Sequence, residues 1–351
     1  MAAQIPEWLR PVVPHQWVKA RAGETRVGQV VAWLELAQDY QTQLTVARER
    51  GAEVALVGVP ESIGPRANHG RGGAEDGWPA FLQAFLNLQA TPAMPVQELL
   101  LVGSVDCDDL MQSARDVTTD DPEQVAELRA LVAQIDDRVQ AVVQPLFAAG
   151  FEVLLIGGGH NNAYPLLKSL AEVAGQGCGA INLDPHADFR MREGRHSGNG
   201  FNYAHHEGAL QHYHIMSLHE GKNTADSMRD LNLAGFNYHN IHELYDLWFV
   251  EALQEVCHTA KEWQAPLGIE VDLDAITQAP ASAYNLTGVT MGQSYRFVAE
   301  LAALASVRYL HLAEGAPACD PAGHAAGMRH AGQLLSELAV GYLRGRTHRT
   351  S

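Results

Sequence analysis

The stretch Ile181-Asn182-Leu183-Asp184-Pro185-His186-Ala187-Asp188-Phe189-Arg190 places two aspartates and a histidine within five residues, directly behind an apolar run. In a regular strand, residues two apart point the same way and lie about 6.6 Å apart, so Asp184 and Asp188 would stand about 13 Å apart. That is too far for one compact site. The chain must therefore bend after Asp184. Pro185 cannot donate a ladder hydrogen bond and favours an end to regular pairing there. Asp184 is expected at a strand tip, with His186 and Asp188 curling back.

Two other stretches have the same form. Upstream, Leu154-Leu155-Ile156-Gly157-Gly158-Gly159-His160 carries a histidine just past an apolar run. Downstream, Ile269-Glu270-Val271-Asp272-Leu273-Asp274 carries two aspartates. Strand-like runs fall at 53–59, 97–102, 151–156, 179–183, 267–271 and 307–312. Helical spacing falls at 24–50, 78–88, 121–149, 161–174, 225–233, 247–263, 293–305 and 324–343. The clearest helix has Asp120 or Asp121 to cap it, Pro122 in its first turn and Gly150 at its end. The continuous apolar run at 151–156 suits a parallel strand covered on both faces. The alternation predicts an α/β fold, three layers with a central, mostly parallel sheet. A single catalytic domain is expected over 1–351, with an arm and helix at 1–50 and a core at 53–343. In such sheets functional groups gather at the C-terminal ends of strands, where all three clusters sit.

The chain has 351 residues, 46% of them hydrophobic and 19% charged, a globular composition with length for a large core. A net charge of -17 argues against nucleic-acid or anionic-lipid partners. Some of that charge is expected to be local, gathered to hold cations. Cys107, Cys178, Cys257 and Cys319 lie far apart without CxxC pairing, which predicts free thiols in a reducing compartment. Residues 1–16 hold three prolines and no apolar segment, so no signal peptide is expected. No run of about 18 apolar residues suggests a membrane span, and a cytoplasmic location is expected. The glycine-rich loop at 60–79 lacks the GxxxxGK[ST] spacing of a phosphate cradle and is read as a loop governing substrate access. Asp106-Cys107-Asp108-Asp109 lacks the glycine and distal glutamate of a calcium loop and is read as a solvated loop.

His160, Asp184, His186, Asp188, Asp272 and Asp274 make a set of four carboxylates and two imidazoles. Four negative charges offset two divalent cations. Carboxylate with imidazole and no thiolate suits Mn2+, with Zn2+, Ni2+, Co2+ and Fe2+ as competitors. Two metals about 3.5–4 Å apart can hold a water between them and lower its pKa for attack.

GGGH, DPHAD and DLD resemble the GGDH, DAHxD and DxD signatures of the ureohydrolase (arginase, agmatinase, formiminoglutamase) superfamily, in their usual order. Asn68-His69-Gly70-Arg71-Gly72-Gly73-Ala74 resembles its NxGRxGA loop, and His311-Leu312-Ala313-Glu314-Gly315-Ala316-Pro317 its acidic strand-end segment. The likeness extends over roughly residues 53–343. It implies an arginase-like fold and two Mn2+ ions per chain held by His160, Asp184, His186, Asp188, Asp272 and Asp274. It also implies a metal-bridging hydroxide that attacks an amidine or guanidine carbon. Glu314 would hold the cationic nitrogen end, and Glu314 and Asp188 are the expected catalytic residues. The family also suggests a homo-oligomer.

Within the superfamily, Phe201 stands where arginine hydrolases keep a histidine, and Arg190 stands two residues after the DPHAD box. That combination resembles the formiminoglutamase branch. The implied substrate is N-formimino-L-glutamate, an amidine with two carboxylates, cleaved to L-glutamate and formamide. Arg190 can grip a carboxylate bidentately, and Ser197 and Asn199 are expected to donate hydrogen bonds. The loss of the histidine at Phe201 leaves proton delivery unassigned; His205, His206, His212, His214 and His219 crowd the next segment, where solvent-facing or core roles are expected and one could serve as the shuttle. Gly159 stands where the family has aspartate, which removes an acceptor behind the metal site, with Asn161 or Asn162 as substitutes. Two other functions remain open: hydrolysis of another guanidino or amidino compound, and metal binding without catalysis.

Overall fold

The computed structural model describes residues 5–35, 39–245 and 248–349. Its strands are β1 (Leu9–Arg10), β2 (Ala32–Trp33), β3 (Val54–Gly58), β4 (Leu99–Val105), β5 (Glu152–Ile156), β6 (Cys178–Leu183), β7 (Leu210–Leu218), β8 (Asn237–Asn240), β9 (Leu267–Asp272) and β10 (Val307–Ala313). They form one sheet in the order β1-β4-β3-β5-β10-β9-β6-β7-β8, with β2 beside β4. Every pairing is parallel except that of β1 with β4.

The sheet is covered on both faces. Val153 and Leu155 enter one apolar cluster with Val132, Val139 and Leu167, from the helices Pro122–Ala148 and Ala163–Ala174. Leu154 and Ile156 enter the other with Phe81, Phe297 and Leu338, from the helices Gly77–Phe85, Met291–Ala302 and His324–Arg346. Alternation of side chains along a strand requires this, and it explains why the run at 151–156 is apolar throughout. Each such leucine or valine contributes roughly 1.5–3 kcal/mol on burial.

The expected α/β architecture is present, and all six expected strands appear within a few residues of their predicted ends. Four strands were not legible, of which β1 and β2 are two residues long. β7 interleaves His212 and His214 with apolar residues, and β8 is polar throughout, so neither shows a strand pattern. The helix expected over 24–50 is corrected. Val27–Val30 is a single helical turn, β2 pairs with Leu100 and Leu101, and a second helix runs Tyr40–Glu49 with Asp39 accepting from the N–H of Thr42. Val31, with ψ at 136°, is extended, and pairing at the sheet edge overrides the helical spacing. Leu36 and Ala37 of that expected helix lie outside the described residues. So do residues 1–4 of the arm and Leu247 at the start of the helix Trp248–Glu262.

The acidic stretch at 106–109 is not an open loop. Asp108–Ala114 is helical, and both Asp109 oxygens accept from Arg138, at 2.5 and 2.7 Å. The Arg138 hydrogen bonds hold the Asp109 carboxyl below its ordinary value. The loop at 60–79 contains the short helix Ile63–Ala67. The four cysteines are free, with Cys107 and Cys178 buried. No helix among the described residues is long and apolar enough to cross a membrane.

One feature of the topology positions the site. The chain passes from β5 to β6 without pairing them, and β10 and β9 later fill the gap. The C-terminal ends of β5, β10, β9 and β6 are therefore neighbours at the centre of one sheet edge, where ligand sites in open α/β sheets form.

Candidate metal centre

Each of these four strands delivers its polar residues within a few positions of its end. After β5, Gly157 and Gly158 take φ of +86° and +71°, which favours glycine, and His160 opens a 3-10 turn. After β6, the Asp184 carboxylate accepts from the N–H of His186 at 2.7 Å and turns the chain. The Pro185 carbonyl is held from outside by the N–H of His219 at 2.9 Å and by Asn223 Nδ2 at 3.0 Å. Asp188, at φ +45°, completes the expected return. After β9, Asp272 accepts from the N–H of Asp274 at 2.8 Å.

The donors fall into two groups sharing one carboxylate. Around His160 Nδ1 lie Asp184 Oδ2 at 3.1 Å, Asp188 Oδ2 at 3.1 Å and Asp272 Oδ2 at 3.5 Å. Around His186 Nδ1 lie Asp184 Oδ1 at 3.4 Å and Asp274 Oδ2 at 3.2 Å. Within each group the ligand atoms lie within 4.8 Å of one another. Asp184 thus presents one oxygen to each group.

These contacts have hydrogen-bond length without hydrogen-bond direction. Both ring nitrogens of His160 and Asp274 Oδ1 are buried without a hydrogen-bond partner. The donors converge on points between themselves, as ligands of a cation do. Their electrostatics agree. Burial opposes charge on His160, but Asp184, Asp188, Asp272 and Glu270 hold its pKa well above the ordinary value. Burial likewise opposes charge on His186, and Asp274 and Asp184 overcome it. Asp272 is pushed well up by burial and by the charges of Asp274 and Asp184, and Asp188 is raised by burial and Asp184. Asp184 falls below its usual range despite burial, because both imidazoles bond to it. Buried carboxylates without compensation cost several kcal/mol each. The cluster therefore demands positive charge, and oxygen and imidazole donors without thiolate fit hard or borderline divalent cations.

The other edge of the His160 ring meets a residue the sequence reading did not single out. Glu270 Oε2 lies 3.3 Å from His160 Nε2. The same carboxylate accepts from the Tyr309 hydroxyl at 2.6 Å and contacts His311 Nδ1 at 2.7 Å. A carboxylate behind a ligating histidine fixes its tautomer and orientation. The carboxylate that faces this ring edge therefore comes from β9, and not from Asn161 or Asn162. The signal was present: acids at 270, 272 and 274 repeat at the strand period. An aspartate has no room at 159, since a Cβ there would fall 2.4 Å from Asn161 Oδ1 and from Pro65 Cδ. The buried Glu61 instead accepts from the N–H groups of Gly159 and Gly64 and from Asn162 Nδ2.

Glu314, at φ +63° after β10, accepts from the His160 N–H at 2.9 Å and from the Ser282 hydroxyl. Burial pushes its carboxyl up to about 8, against the Ser282 and His160 hydrogen bonds. Arg71 braces the Ser282 loop by donating to the Ser282 carbonyl at 3.1 Å.

A cavity of about 210 Å3 opens over the donors. It is lined by His186, Asp188, Asp272, Asp274 and Glu314 beneath, and by Asn68, His69, Arg190, Ser197, Lys222, Thr224, Ser227 and Ser282 around them. Arg190 and Ser197 are where a substrate could meet them. Asn199 is not, and the expected contact is corrected. It is buried, its Oδ1 accepts from Arg195 at 2.5 Å, and its Nδ2 donates to the carbonyls of Met191 and Gly194. Its hydrogen-bonding capacity is spent on folding its own loop. Phe201 also faces inward, edge-on to the His160 ring at 5.3 Å and stacked on Tyr213 at 4.4 Å. None of His205, His206, His212, His214 and His219 lines the cavity; His69 and His186 do.

This fold and donor set meet their counterpart in one known group. The chain belongs to the arginase family, which it matches over residues 52–340. It is a hydrolase of that family, and formimidoylglutamases are among its curated relatives. The formimidoylglutamase of Chromobacterium violaceum is 30% identical over 169 residues, 48% of this chain and 47% of that protein, so the match spans about half of each. The formimidoylglutamase of Aromatoleum aromaticum is 26% identical over 318 residues, 86% of each. Among solved structures, formimidoylglutamase from Bacillus subtilis superposes with a TM-score of 0.73 over 95% of both chains at 19% identity. Trypanosoma cruzi formiminoglutamase with Mn2+2 gives 0.68 at 17% identity, covering 91% of this chain and 99% of that one. At these identities the structural likeness concerns the fold.

Proposed function

We propose that the protein is a dinuclear manganese hydrolase that splits N-formimino-L-glutamate into L-glutamate and formamide, with residues 53–343 as one catalytic unit. The observation that carries this reading is the cavity. Its floor is a two-group donor set sharing Asp184, and its wall carries the Arg190 guanidinium, with no carboxylate paired to it among the described residues.

His160, Asp184, Asp188 and Asp272 would hold one ion, and Asp184, His186 and Asp274 the other. When bound, the ions supply Lewis acidity and an acidified water at neutral pH. The chain does the rest. Glu314, fixed by Ser282 and the His160 N–H, orients the amidinium nitrogens over the donors. Arg190 grips a substrate carboxylate, and the Ser197 hydroxyl, contacted by Asn68 Nδ2 at 3.4 Å, lines the same side. Attack on the formimino carbon adds one water oxygen and breaks the bond from that carbon to the glutamate nitrogen. The Asp188 carboxylate, on the cavity floor, would accept a proton of the attacking water and pass it to the departing amine.

The test is to load the protein with Mn2+ and supply N-formimino-L-glutamate, L-arginine and agmatine. Formamide and glutamate should appear from the first, and no urea from the others. Urea release would move the protein to another branch of the family. Two bound ions without turnover of any amidine would make it a metal-binding homologue.

A further inference from the structure

We propose that Lys222 is a specificity-determining residue that grips a second carboxylate of the substrate, forming with Arg190 a two-point clamp for a dicarboxylate. The inference rests on the amidine-hydrolase reading and names how that site selects its substrate.

The chain is acidic, with 41 aspartates and glutamates against 24 lysines and arginines. A cation in such a chain has many carboxylates to choose from. Even so, no salt bridge among the described residues involves either Lys222 or Arg190, the two basic side chains of the cavity wall apart from its histidines. Of the cavity's own carboxylates, Asp188, Asp272 and Asp274 face the imidazoles beneath, and Glu314 accepts from Ser282 and the His160 N–H. Lys222 is half-buried rather than fully solvated.

Its position is built. Lys222 ends the 3-10 turn Glu220–Lys222, and its N–H donates to the His219 carbonyl at 2.8 Å. The next residue, Asn223, accepts from the N–H of Ala187 at 2.8 Å and donates to the carbonyls of Pro185 and His219, at 3.0 Å each. Pro185 and Ala187 lie between the ligands Asp184, His186 and Asp188. The backbone that carries Lys222 is thus bolted to the metal-binding loop. Arg190 is tied to the same loop from its other end, its N–H donating to the Gly198 carbonyl at 3.0 Å and its carbonyl accepting from Asn202 Nδ2 at 2.9 Å. Two cations in register with one reaction centre fit an anion with two carboxylates. An ammonium supplies a point charge and a guanidinium a fork, so the clamp distinguishes the two ends.

The test reads binding. Calorimetric titrations of the Mn-loaded protein would compare L-glutamate with 2-aminobutyrate, which lacks the side-chain carboxylate, and 4-aminobutyrate, which lacks the α-carboxylate. Wild type should bind glutamate about tenfold or more tighter than either monocarboxylate. Lys222→Met should abolish the advantage over one of them and leave the other comparison standing, and Lys222→Arg should restore part of it. A wild type with no preference for glutamate overturns the clamp. So does a Lys222→Met protein that keeps both ratios or weakens all three ligands equally. Turnover of N-formimino-L-glutamate is followed in parallel. Glutamate selectivity without turnover sinks the proposed reaction and leaves the clamp; turnover with KM unchanged in Lys222→Met does the reverse.

Discussion

Glu270 Oε2 lies 3.3 Å from Nε2 of His160, on the ring edge opposite the aspartates gathered at Nδ1. The contact assigns the two nitrogens different tasks. A proton on Nε2 would face Glu270 and would leave the Nδ1 lone pair for a cation. Glu270→Gln removes the charge that holds this tautomer. Affinity at the His160 position should fall about 10–100-fold. Manganese titration followed by electron paramagnetic resonance measures it, and unchanged affinity at both positions would refute the assignment.

Asp184 is common to both groups of donors, whereas Asp188 and Asp274 each belong to one. Asp184→Asn should therefore empty both positions, and Asp188→Asn or Asp274→Asn one each. Elemental analysis after gel filtration counts the ions. If Asp184→Asn retains as many as Asp188→Asn, the shared-ligand arrangement is wrong.

Gly159→Asp would return the chain to the family motif, yet it should harm the protein. The new Cβ meets Asn161 and Pro65 inside contact distance, and overpacking of a filled interior costs typically 1–3 kcal/mol. The urea midpoint should drop with the slope unchanged. A variant as stable as wild type would show that this turn can relax.

His196 and His214 are held neutral in the fold. Burial is the main cause for both and pushes each down to about 3, aided by Arg129 and Arg195 for His196 and by His239 for His214. The unfolded chain titrates near the ordinary histidine value of about 6.5. Between those limits the unfolded state binds more protons, so stability falls as pH drops below about 6.5. Each group contributes at most about 1.4 kcal/mol per pH unit. His214→Gln should make the decline shallower by about one proton, read from urea titrations between pH 4 and 7. A slope equal to wild type would mean that His214 is charged in the fold.

Most of this was legible because the site is written in short segments at strand ends. His160, Asp184, His186, Asp188, Asp272 and Asp274 each follow an apolar run, and strand periodicity forces the bend at Pro185. Glu270 was overlooked because a strand-interior acid reads as strand until its partners are known. Lys222 stands alone in a polar segment, and only the fold brings it to the cavity that Arg190 also lines. Asn199 was misassigned for the complementary reason. Its motif resembles a substrate loop, but hydrogen-bond accounting across Arg195, Met191 and Gly194 requires coordinates. β7 and β8 escaped notice because their polar residues hide the period of two.

The strand order also sets a schedule. β5 and β6 are synthesised long before β10 and β9, which come to lie between them. On a translating ribosome the early ligands His160, Asp184, His186 and Asp188 must wait with the centre of their sheet still open. Only when Asp272, Asp274 and Glu314 have emerged can the two late strands be inserted and the donor set of the floor be completed. Parallel pairings between distant segments are slow to form, so the floor that would receive the divalent ions is assembled late, after the earlier strands have already been made.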